Sequence, residues 1–202
     1  FCEFYVTIFR IGDDLSARFH ELMEQARLAD ALGFDSITKG MHYSSAPWQS
    51  LQQLPFLSRV MAEAPRLRLN FGLILLSLHK PLDVAEQIAT VDVMSGGKVI
   101  FGVALGYRDV EFLAFGTTQK ERVRRFEENL EAVRRLWTED SVDMVASHFT
   151  LQGASASPRP VQKPHPPIWI GANADPAIRR AARLGDCWYV NPHNRIDTIV
   201  RQ

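Results

Sequence analysis

The chain has 202 residues, 46% of them hydrophobic and 23% charged, enough apolar material for one sizeable core in a single domain over 1–202. Its 23 Lys and Arg balance 23 Asp and Glu, so no net field draws in nucleic acid or a membrane surface, and no apolar run reaches the roughly 18 residues of a bilayer span. Cys2 and Cys187 lie at opposite ends and no signal-like start is visible, which points to a reducing, cytoplasmic setting.

Residues 4–9 are an apolar, β-branched and aromatic run that stops before Gly12-Asp13-Asp14, the pattern of a buried strand and its turn. The period then changes. Leu15, Phe19, Leu22, Ala26 and Ala29 recur every three or four residues, with Ser16 near the start and Gly33 as a stop, which predicts an amphipathic helix. Residues 34–38 read as a second strand, and 47–64 as a helical stretch that turns Leu51, Leu54, Leu57 and Val60 or Met61 inward and closes at Pro65. A third strand covers 67–76. Pro81 opens the next helix where its missing N–H costs nothing, Gly96-Gly97 ends it, and 98–103 form a fourth strand. Val123, Phe126, Leu130, Val133 and Leu136 make the cleanest helical stripe in the chain. Arg122, Arg124 and Arg125, then Arg134 and Arg135, alternate there with glutamates, which reads as a solvated helix face.

From 139 to 167 the pattern weakens. A hairpin fits 142–151, and Pro158, Pro160, Pro164, Pro166 and Pro167 impose extended chain, so this segment reads as an insertion. Residues 168–170 are a fifth strand, 175–184 a helix ended by Gly185, 187–190 a sixth strand, and Ile196 begins a further helix. Strands that are continuous apolar runs alternating with helices describe a parallel sheet covered on both faces. Alternation alone fits an open doubly wound sheet and a barrel equally.

Phosphate-loop, dinucleotide-turn and nucleophile-elbow signatures are missing from the sequence. The histidines, His20, His42, His79, His148, His165 and His193, include no pair at metal-site spacing, so no protein metal site is expected. The informative positions follow the predicted strands, where parallel α/β proteins gather their ligand groups. After strand two, Gly40-Met41-His42 offers free backbone and an imidazole able to exchange protons near neutral pH; a surface-loop histidine fits the same residues. After strand three, Gly72-Leu73 interrupts an apolar wall. After strand four, Gly106-Tyr107-Arg108 combines close backbone approach, a ring to stack and a guanidinium to pair with an anion. After strand five, Gly171-Ala172-Asn173 runs straight into a helix start, where a phosphate could sit or where Asp175 and Pro176 supply an ordinary cap and first turn.

Residues 29–37, His42, 85–98, the segment through Gly116, and 158–162 through Asn173 together resemble the luciferase-like flavin-dependent oxidoreductases, and 85–106 carries the likeness most specifically. The resemblance implies a (β/α)8 TIM barrel of the bacterial-luciferase type, with about six of its eight βα units present. Family members are longer and a six-stranded set leaves open edges, so the chain is expected to be truncated on its C-terminal side. The resemblance further implies a reduced flavin, FMN or alternatively the deazaflavin F420, lying across the strand ends. His42 matches the active-site histidine, although Met41 stands where relatives carry an acid. Gly72-Leu73 matches a non-proline cis peptide beneath the ring, and Gly106, Gly171, Ala172 and Asn173 match cofactor contacts, with Leu105 in place of a phosphate-binding arginine and Tyr107 lining the substrate side. The leading activity implied is monooxygenation of a small organic substrate with O2, served by a separate flavin reductase, in a homodimer. F420-dependent hydride transfer is the alternative, and a flavin-binding protein without turnover is the third.

Overall fold

The apolar start of the chain makes two short strands where one was expected: β1 (Glu3–Val6) joins the main sheet and β2 (Phe9–Arg10) leaves it. The Asp14 carboxylate then accepts from the amides of Ser16 at 2.9 Å and Ala17 at 3.1 Å, capping α1 (Leu15–Ala31). Gly33, at φ +80°, turns the chain into β3 (Ser36–Lys39). A cis Ala46–Pro47 bond precedes β4 (Trp48–Gln49), which pairs antiparallel with β2, so α2 (Gln53–Glu63) starts at 53 rather than 47. The expected third strand is divided into β5 (Arg68–Asn70) and β6 (Ile74–Leu75) by a cis Gly72–Leu73 bond. A 3-10 turn, Leu76–Leu78, leads to α3 (Pro81–Met94), with Pro81 in its first turn, and then to β7 (Val99–Ala104). α4 (Asp109–Ala114) has no counterpart in the periodicity reading. α5 (Arg122–Thr138) precedes the hairpin of β8 (Val142–Val145) and β9 (Thr150–Ala154), followed by β10 (Ile168–Gly171), α6 (Asp175–Leu184), β11 (Cys187–Tyr189) and α7 (Ile196–Arg201). The computed structural model describes residues 1–190 and 196–201; among them no helix is long and apolar enough to cross a membrane.

The main sheet runs β1-β3-β5-β7-β10-β11, every neighbouring pair parallel, with β6 added alongside β7. It curls. The Tyr189 hydroxyl on the last strand donates to Glu3 on the first at 2.9 Å, and the same carboxylate accepts from Asn70 at 2.7 Å and from Thr38. These groups occupy the concave side of a half-barrel. The opposite side is apolar and packed under helices: Phe101 of β7 meets Trp137 of α5 edge-on at 5.1 Å, and the Trp137 indole N–H donates to Ala85 O at 3.0 Å.

Three local expectations change. Val123, placed on the buried stripe of α5, is 37% exposed, while Phe126, Leu130, Val133 and Leu136 are buried. Arg125, placed on the solvated face, is buried because its Nε donates to Ser77 O at 2.8 Å, tying α5 to the 3-10 turn. Asp175 does not cap α6: Ala174 occupies the cap without a side-chain bond, and Asp175 and Pro176 form the first turn. The proline-rich stretch is held to α3 by Asp92, fully buried, which accepts from the amides of Val161 at 2.9 Å and Gln162 at 3.1 Å and from the Gln162 side chain at 2.7 Å.

Candidate active site

Because the sheet is parallel, the loops after β3, β5, β7 and β10 leave from the same edge, and the candidate residues gather there. Neighbouring backbones are close. A Cβ on Gly40 would stand 3.6 Å from Gly72 O, one on Gly102 would meet Phe71 O and Leu73, and one on Gly171 would collide with the Leu73 side chain. Gly106 adopts φ +77°, and a Cβ there would touch Phe112 of α4 at 3.4 Å. Leu73 thus lies against Gly102 and Gly171, Gly106 lies against α4, and Ala172 is buried in the apolar core with its carbonyl accepting from the Trp188 indole at 2.8 Å; the Gly72–Leu73 peptide is cis as expected. Asn173 is exposed, just before α6.

His42 lies in the loop after β3. Its Nδ1 is 2.9 Å from Oε1 of Glu111, a residue of α4 with no exposed surface. The same oxygen accepts from the Tyr43 amide at 2.8 Å, and Arg108 stands 3.5 Å away while its other N–H groups bond Tyr43 O and Ser44 O. A carboxylate can only accept here, so neutral His42 carries its proton on Nδ1 and leaves Nε2 as a lone pair. That lone pair faces the Tyr107 hydroxyl at 3.4 Å, with the two rings edge to face at 5.5 Å. Tyr107 itself is 66% exposed. Glu111 Oε2 is buried without a hydrogen-bond partner, an orphan acceptor beside the imidazole.

Behind His42, the Tyr43 hydroxyl lies 3.3 Å from His79 Nε2. Burial, and secondarily the Glu111 charge, pushes the Tyr43 phenol up to about 12, and burial pushes His79 below its usual range. Tyr43 therefore donates to a neutral imidazole.

The acid missing next to His42 in sequence is supplied from 69 positions away. Sequence reading missed Glu111 because α4 is six residues long, too short for a period. The signal available was the Arg108-Asp109-x-Glu111 spacing at a helix start. Arg108, expected to pair with an anion, stands 3.5 Å from the Glu111 carboxylate and also donates to two carbonyls. Among the described residues no cluster of three His, Cys, Asp or Glu could hold a metal ion; His193 lies outside the described residues.

A curled parallel sheet with glycines and an imidazole–carboxylate pair at its strand-end edge defines a barrel-type α/β fold. The model of the luciferase-like monooxygenase family matches residues 4–202, and the chain belongs to that family. The FMNH(2)-dependent dimethylsulfone monooxygenase of Pseudomonas putida is 33% identical over 125 residues, covering 60% of this chain and 34% of that protein. The F420-dependent glucose-6-phosphate dehydrogenase of Amycolatopsis mediterranei (strain U-32) is 28% identical over 177 residues, 82% of this chain and 51% of the relative. The crystal structure of monooxygenase RslO1 from Streptomyces bottropensis superposes with a TM-score of 0.87 at 28% identity, over 99% of this chain and 62% of that one. The chain spans about half the length, or less, of these curated relatives.

Proposed function

We propose that this chain carries the cofactor shelf and proton-handling pair of an FMN-dependent monooxygenase acting on a small organic substrate, with O2 as co-substrate and a separate reductase as electron source. The observation that carries the reading is His42 held by buried Glu111 at 2.9 Å, in the loop after β3, at the strand-end edge that also carries the cis Gly72–Leu73 peptide. Glycines at 102 and 171 let the Leu73 side chain lie against neighbouring strands where a Cβ would clash, which supports a fixed Gly72–Leu73 platform for a planar ring.

Reduced flavin, when bound, would supply the electrons for oxygen chemistry. Gly72, Leu73, Gly106, Gly171 and Ala172 would support the ring and its side chain, while Asn173 and the first turn of α6 would meet the phosphate with backbone donors. His42 Nε2 would take a proton, and Glu111 would stabilise the imidazolium formed. Tyr107, exposed above Nε2, would close the substrate side.

The test is turnover of the full-length protein with FMN and a reductase. His42→Ala and Glu111→Gln should each lower kcat by about 100-fold or more while FMN affinity holds. Wild-type rates in both variants would remove the proton-handling role. A second reading, hydride transfer with F420, is favoured by the likeness to the F420-dependent relative. Parallel absorbance titrations with FMN and F420 separate them: binding of F420 alone replaces the first reading with the second.

A further inference from the structure

A cavity of about 350 Å³ opens on the helix side of the sheet, between the first turns of α2 and α3. It is separate from the shelf. Asn70 turns into the half-barrel toward Glu3 and Thr38, whereas the next residue, Phe71, turns the other way and floors this cavity together with Ile74 and Val84. Gly106, Tyr107 and Gly171 to Asn173 do not line it. Its volume lies within the range of small-molecule sites.

Its chemistry is specific. Met41, Tyr43 and Phe71 present a thioether and two aromatic rings, surfaces that suit a flat ring. Gln53, 2% exposed, lines the same space; its Nε2 donates to Lys39 O, which fixes the amide orientation, and its Oε1 has no partner. A buried lone acceptor of this kind is costly until a donor meets it. The lining contains no Lys or Arg, and Asp83 stands at the rim, so an anionic ligand would face a carboxylate with no compensating cation.

We propose that this cavity is a second binding site, distinct from the flavin shelf, for an uncharged aromatic molecule bearing a hydrogen-bond donor, of the size of an indole or phenol. The ring packs between Tyr43, Met41 and Phe71, and the donor satisfies Gln53 Oε1.

Calorimetric titration of the full-length protein with indole, indene and indole-3-acetate tests it. Indole should bind saturably, while indene, the same bicycle without an N–H, and the anionic acetate should each bind about tenfold more weakly or less well still. Gln53→Leu should bring indole to the level of indene and leave indene unchanged. Gln87→Trp, a change at the exposed rim, should block both, and FMN affinity should be the same in every folded variant. Equal affinity for indole and indene, displacement of indole by FMN, or undiminished binding in Gln87→Trp would overturn the proposal. The wild-type ligand comparison and Gln87→Trp decide the matter even if Gln53→Leu fails to fold, and none of these outcomes depends on whether His42 is catalytic.

Discussion

Lys39 ends β3 with 1% of its surface exposed, and no carboxylate pairs with it among the described residues. Its ammonium donates to Gly40 O at 3.0 Å and to Ser50 Oγ, and burial lowers its pKa from 10.5 to about 8. The unfolded chain holds this proton up to about pH 10 while the folded chain releases it near 8, so folding at lower pH confines an unpaired charge. This group's contribution is therefore most favourable above 10.5 and is lost as pH falls through about 8. Lys39→Met should raise stability by about 1–2 kcal/mol at pH 7, part of the gain being offset by the lost hydrogen bonds. Between pH 8 and 10 the wild type should gain stability relative to the variant; parallel melting curves check this, and a constant difference across that window would refute it. At this scale the place of His42 in a strand-end loop was legible, because the alternation of strands and helices fixes which loops share that edge. Lys39 and Glu111 were not: a charge looks exposed in sequence until a distant element covers it.

The helices whose ends carry their own punctuation were readable. Pro81 in α3 and Gly185 after α6 each act within a turn of their own position, so local chemistry sufficed; at α1 the cap is Asp14, read as part of the preceding turn, rather than Ser16. The errors lie where a distant partner overrides the local pattern. Residues 48–49 look helical but pair with β2, and the apolar run from 67 to 76 breaks at Gly72–Leu73 because the chain turns along the shelf. The proline-rich segment is the strongest case: proline dictates extended chain, but its position is set by Asp92 on α3. Replacing Asp92 with Ala leaves the Val161 and Gln162 amides without their acceptor and the Gln162 carboxamide with Val99 O alone. The expected loss is about 3 kcal/mol in urea unfolding, with protease cleavage appearing first within 158–167. Unfolding that matches wild type would mean that the prolines hold the segment unaided.

Alternating strands and helices made a parallel, doubly covered sheet legible, but neither periodicity nor composition says whether such a sheet stays open or curls. The curl depends on contacts between the ends of the order, and Glu3 and Tyr189 are 186 positions apart. Glu3, on the first strand of the order, acts as a common acceptor for the second, third and last, through Thr38, Asn70 and Tyr189. Burial, and then the Glu3 charge, raises the Tyr189 pKa above its usual 10. The folded chain therefore keeps the phenol protonated to higher pH than the unfolded chain does. The stability this supplies is complete below pH 10 and is lost as pH climbs through the raised value. Tyr189→Phe should cost about 1–2 kcal/mol at pH 7, the range for a hydrogen bond to a charged acceptor, and should shallow the alkaline decline above pH 10. Trp169 and Trp188 flank the contact on β10 and β11, so their fluorescence should shift red in the variant as the concave side loosens. If Tyr189→Phe melts like wild type with unchanged emission, the curl is held by strand pairing alone and the Glu3 cluster is incidental to it.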